Sequence, residues 1–201
     1  MSTTMFAVFL LSAFISNLPS TIAQVSDIHG RPVRNTGSYF ILPALTPNGF
    51  GVQPEATGNE TCPLTVVKSS SQYDLGRRVR LSSVLRIAFL PIDSPLDIEF
   101  DYPDECAASG KWTVVNGVPE DSSPSLKLSG YNNVMRGSFR VRALGFRTYK
   151  LSFCEIDNNC QDVGVQVDKD GNERLVLTDK DPFAVVFLQP YFASVAKAAA
   201  Q

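Results

Sequence analysis

Between residues 24 and 190 no stretch holds apolar positions at three- and four-residue spacing over the length of a helix. Short apolar or alternating runs occur instead, each stopped by turn formers. Residues 38–42 run into Pro43, and 64–67 run into Lys68 and a serine cluster. Residues 97–102 alternate, with an apolar face at Ile98, Phe100 and Tyr102. Residues 112–115 end at Asn116 and Gly117, a strong turn signal. Residues 139–142, 149–153 and 183–188 read the same way, and 163–167 and 174–178 flank a hairpin turn at 168–173. Strands at this spacing predict an all-β barrel or sandwich.

The two ends differ from this body. Met5, Phe6, Ala7, Val8 and Phe9 open an apolar stretch that ends near Ile15, and small residues stand at −3 and −1 if cleavage follows Ala23. Residues 1–23 therefore read as a secretory signal, too short and too soon followed by polar residues to span a membrane. The expected mature domain is 24–190, and 191–201 is an Ala-rich tail. No later segment is long and apolar enough to cross a bilayer. The formal charge is −2 with 19% charged residues and no basic block, which argues against nucleic acid as partner.

Cys62, Cys106, Cys154 and Cys160 form an even set, as an oxidising compartment favours. Of three possible connectivities, nearest-in-sequence pairing is the one expected here. There is no C-x-x-C, and the lone His29 completes no zinc set, so neither metal nor cofactor is expected. Asn59-Glu60-Thr61 is a glycosylation sequon. The chain lacks a nucleophile elbow, a zincin motif and a phosphate loop, so no enzyme is expected. Asp168-Lys169-Asp170-Gly171 has its glycine too early for a calcium loop. Asp93, Asp97, Glu99 and Asp101 read as a solvated strand face, and His29 as a surface residue.

One run fits neither core nor ordinary surface. Val84, Leu85, Ile87, Ala88, Phe89 and Leu90 surround Arg86. A buried strand excludes an unpaired guanidinium, and an exposed loop this apolar needs a cover. A partner with a deep pocket and a carboxylate at its base resolves the conflict; the alternative is an edge-strand arginine with its stem lying over apolar surface.

Several ordered motifs now carry a resemblance. They are residues 25–33 from Val25 through His29 to Val33, residues 37–43 from Gly37 to Pro43, and Cys62-Pro63-Leu64-Thr65-Val66-Val67. Tyr149 to Cys154, Cys160-Gln161-Asp162-Val163-Gly164 and Arg174-Leu175-Val176-Leu177 follow in order. Over nearly all of residues 25–190 the chain resembles the plant Kunitz inhibitors of the soybean trypsin inhibitor type. The resemblance implies a β-trefoil: twelve strands in three pseudo-repeats, a short six-hairpin barrel with disulfides Cys62–Cys106 and Cys154–Cys160. It aligns residues 82–87 with the family's exposed loop, making Arg86–Ile87 the scissile bond and Val84, Leu85, Arg86, Ile87 and Ala88 the protease-binding residues. Asn35 matches the asparagine that braces that loop, and Thr36 stands where glycine is common.

The expected function is therefore a secreted, monomeric inhibitor of trypsin-like serine proteases, in the apoplast or the vacuole. Rival readings are a storage or defence trefoil without trypsin inhibition, and an inhibitor of another hydrolase through a different face. Should Arg86 not be the anchor, Arg77, Arg78, Lys111 and Arg142 are the alternatives.

Overall fold

In the computed structural model, which describes residues 23–117, 123–156 and 159–190, the short runs become twelve strands. They are β1 (Gly37–Pro43), β2 (Val52–Glu55), β3 (Thr65–Lys68), β4 (Val79–Ser82), β5 (Asp97–Phe100), β6 (Trp112–Val115), β7 (Ser125–Leu128), β8 (Gly137–Gly145), β9 (Thr148–Glu155), β10 (Cys160–Val167), β11 (Glu173–Thr178) and β12 (Val185–Leu188). Of the expected signal segment only Ala23 is among the described residues, and the tail 191–201 lies outside them.

Six strands close a ring. β1 pairs with β4 and β12, β4 with β5, β9 with β8 and β12. The remaining seam, β5 to β8, is made by reciprocal bonds between Leu96 and Phe139 at 2.9 and 3.1 Å. The hairpins β2–β3, β6–β7 and β10–β11 pair with one another through Thr65 and Lys127, Val67 and Arg174, and Ser125 and Val176. A six-stranded barrel capped by a triangle of hairpins is a β-trefoil. Closure removes the open sheet edges that would otherwise invite aggregation.

Alternation places Ile41, Leu81, Ile98, Val141, Leu151 and Phe187 inside the barrel, all at most 1% exposed. Trp112 packs between Phe100 and Phe139, with ring centroids 5.4 and 6.2 Å away. The cap is different, because Lys127 and Arg174 are buried there. Lys127 Nζ donates to Glu60 Oε1 at 2.7 Å and to Thr65 Oγ1 at 2.6 Å. The Tyr131 hydroxyl, the Thr57 amide and the Thr65 hydroxyl also donate to the Glu60 carboxylate. Cys62–Cys106 ties the β2–β3 connection to the segment before β6, and Cys154–Cys160 staples β9 to β10.

Three details differ from the sequence expectation. Tyr102 does not share the buried face of Ile98 and Phe100: β5 ends at Phe100 and Tyr102 is 67% exposed, under the Arg78 guanidinium. The acidic group is not simply solvated. Asp97 pairs with Lys111, Glu99 with Arg80, and Asp101, only 5% exposed, with Arg78 and Arg80. Strands β2, β4 and β7 were not anticipated.

Candidate functional site

β4 lies between β1 and β5 in the ring, so the chain that joins β4 to β5 must leave the barrel and return. The excursion, residues 83–96, contains the apolar run with Arg86. Val84, Leu85, Arg86 and Ala88 are exposed, with Val84 84% so, while Leu90 is fully buried and pins the return leg to the core. Ile87 N–H donates to Leu85 O at 2.9 Å, closing a three-residue turn centred on Arg86. Arg86 thus projects from the apex of a loop and is not part of a strand.

The return leg lies on an N-terminal bed. Asn35 N–H donates to Ala88 O at 3.0 Å, Leu90 N–H to Val33 O at 2.9 Å, Val25 N–H to Leu90 O at 2.9 Å and Ile92 N–H to Ala23 O at 2.9 Å. At the base, Ser83 Oγ donates to Pro95 O at 3.0 Å, linking the outgoing leg to the returning one.

Asn35 sits at the centre. Its Oδ1 accepts from Ser83 N–H at 2.8 Å. Its Nδ2 donates to Ser83 O at 3.3 Å, Leu85 O at 3.1 Å and Ile87 O at 3.2 Å. The carbonyls of Leu85 and Ile87 flank Arg86, so one side chain holds the backbone on both sides of the 86–87 peptide. A tight turn aims it there. Gly37 N–H donates to Arg34 O at 3.1 Å, Thr36 takes a φ of 62°, and a Cβ on Gly37 would stand 2.8 Å from the Tyr39 ring.

Charge pairing separates Arg86 from the other candidate anchors. Arg77 pairs with Asp104, Arg78 with Asp101, Lys111 with Asp97 and Arg142 with Asp93. Among the described residues the Arg86 guanidinium has no hydrogen bond or ion pair. The sequence brought forward Asn35 and residues 84–88, and the fold brings them together. It did not bring forward Ser83, whose crosslink to Pro95 has no local signature. Asn59 is exposed on a turn closed by Glu60 N–H to Thr57 O at 3.2 Å, and His29 is exposed. No cluster of His, Cys, Asp and Glu among the described residues could hold a metal ion.

Comparison with known proteins agrees with this architecture. Residues 25–189 match the legume Kunitz family, described as trypsin and protease inhibitor. Trypsin inhibitor 1A of Psophocarpus tetragonolobus is 42% identical over 164 residues, covering 80% of this chain and 94% of that protein. Trypsin inhibitor A of Glycine max is 38% identical over 210 residues, covering 98% of this chain and 96% of that protein. The solved complex of porcine pancreatic trypsin with soybean trypsin inhibitor contains a chain that superposes with a TM-score of 0.77 at 37% identity, covering 83% of this chain and 99% of that one. The chain belongs to the legume Kunitz family of trypsin and protease inhibitors.

Proposed function

We propose that the protein is a substrate-like inhibitor of trypsin-like serine proteases, with Arg86–Ile87 as the scissile bond. The observation that carries this reading is an exposed Arg86 with no partner among the described residues, on a loop whose flanking carbonyls both bind Asn35. Relatives named as trypsin inhibitors support it. Arg86 enters the specificity pocket and forms a charge-assisted, bidentate pair with the carboxylate at its base. Leu85, Val84 and Ile87 supply apolar contact, and loop backbone pairs with the enzyme's edge strand. Such complexes bury about 1,600 Å² in total, so a few loop residues dominate the energy. A loop already held in one shape loses little entropy on binding. The same hold keeps the Ile87 amine close to the acyl-enzyme, so religation competes with hydrolysis.

Stoichiometric titration of residues 24–201 against trypsin, chymotrypsin, subtilisin and papain tests the reading. Trypsin is titrated by the wild type, and Arg86→Ala weakens inhibition by about a thousandfold. Equal inhibition by Arg86→Ala refutes the assigned loop. Failure of the wild type against trypsin favours a storage protein or an inhibitor of another hydrolase. The signal at 1–23, export and glycosylation at Asn59 belong to the same reading. Intact mass of the exported protein, before and after deglycosylation, tests all three.

A further inference from the structure

Beyond the apex the chain must turn off its N-terminal bed to enter β5, and it turns at Asp93. This residue has a φ of 60°, in the left-handed region that aspartate tolerates better than most side chains. The corner is held by β8 at three points. Asp93 N–H donates to Val141 O at 2.8 Å. Asp93 O accepts from Arg140 Nη1 at 2.9 Å, and Asp93 Oδ1 accepts from Arg142 Nε at 2.7 Å. Arg140 Nη1 also stands 3.8 Å from that carboxylate oxygen. Ser94 Oγ donates back to Pro91 O at 3.0 Å and closes the corner.

The fold does not need this clasp to close, because Leu96 and Phe139 already make the β5–β8 seam. Nor does an ion pair whose carboxylate is 51% exposed add much to global stability. What the clasp does is fix a point. Between Ala88 and Pro91 the return leg's described backbone hydrogen bonds to other segments all go to the N-terminal segment, through Ala88 and Leu90, with the Leu90 side chain in the core. Chain ends fray first. Asp93 ties the leg to the barrel itself.

We propose that Asp93, clasped by Arg140 and Arg142, is a positioning residue for the loop. It sets the anchor from which the Ile87 side of the opened bond is held in place for religation. Its effect on inhibition rests on the protease-inhibitor reading above; its ordering of the return leg does not. An electrostatic clasp of this exposure weakens with salt.

The test compares wild type, Asp93→Asn and Arg142→Gln. Asp93→Asn keeps the tolerance for positive φ and an acceptor oxygen, and removes the charge. With catalytic trypsin, both variants associate at the wild-type rate but lose inhibition about five- to tenfold sooner, with a larger cleaved fraction at equilibrium. Raising salt shortens the wild-type lifetime and leaves the variants nearly unchanged. In the free proteins, amide exchange at Leu90 and at position 93, whose N–H bonds Val141 O, is faster in the variants while the barrel strands and the urea midpoint are unchanged. Wild-type lifetimes and exchange in both variants overturn the proposal, as does a lifetime loss matched by loss of global stability. A wild type that does not inhibit trypsin defeats the inhibitor reading; exchange at Leu90 and at position 93 then decides the clasp.

Discussion

Asn35 has two amide hydrogens and three carbonyls within 3.3 Å of its nitrogen, so Ser83, Leu85 and Ile87 share two donors. Removing the side chain and reversing its polarity should therefore differ. Asn35→Ala leaves the carbonyls to water at a half-buried site, costs about 1–2 kcal/mol and still folds. Asn35→Asp puts an acceptor-only carboxylate against three carbonyls and is the worse substitution. With catalytic trypsin, inhibition by Asn35→Ala should decay faster than wild type, and by Asn35→Asp faster still, with a new N-terminus at Ile87. Lifetimes in the opposite order would remove the donor role. The neighbouring Thr36 is β-branched at a φ of 62°, a conformation costing about 1–2 kcal/mol. Thr36→Gly relieves it and gives back about 0.5–1 kcal/mol of chain entropy. A net gain of about 0.5–1 kcal/mol in urea unfolding is expected. Arg86 was legible because a cation inside an apolar run conflicts with both core and surface, and Asn35 because it falls at a fixed place between two ordered motifs, 25–33 and 37–43. Ser83 and Asp93 were not, since their partners Pro95 and Arg142 lie 12 and 49 residues away and serines and aspartates are common in loops.

Elements with clean alternation or a β-branched run were readable, and those carrying a contrary residue were not. β2 contains Pro54, which demotes a strand, and β7 contains Lys127, which reads as surface. β4 has only Val79 and Leu81 as apolar markers between arginines and serines. Pro54 is tolerated in a cap hairpin, and Lys127 because Glu60 meets it. That pair has a pH signature. Burial alone pushes the Glu60 carboxyl up, but bonds from Lys127, Tyr131, Thr57 and Thr65 together outweigh it and hold the group below its ordinary 4.5. The folded carboxyl thus binds its proton more weakly than the unfolded one. Its contribution to stability is complete above pH 4.5 and drains away as pH falls through the lower folded value. Urea midpoints at pH 7, 5 and 3.5 should fall more steeply for wild type than for Glu60→Gln, which starts lower because Lys127 keeps its buried charge. Parallel curves would exclude Glu60 as the titrating group.

The barrel closes only when β12, the last strand, pairs with β1, the first, so the assembly depends on contacts far apart in sequence. Two disulfides reduce the entropy this closure must overcome. The separations of 44 and 6 residues predict about 4 kcal/mol for Cys62–Cys106 and about 2–3 kcal/mol for Cys154–Cys160. Paired Cys→Ser variants should lower the unfolding free energy in that order, and the reverse order would mean native strain decides. The longer bridge has another consequence, because Arg86 lies inside the span it closes. A chain nicked there becomes two polypeptides, one carrying β1 to β4 and the other β5 to β12, that remain one covalent molecule joined along the β1–β12 and β4–β5 seams. Resealing is then a reaction between ends that cannot diffuse apart, favoured by effective concentration instead of opposed by dilution. On a gel without reductant the nicked protein should migrate as a single band, and with reductant it should separate into two.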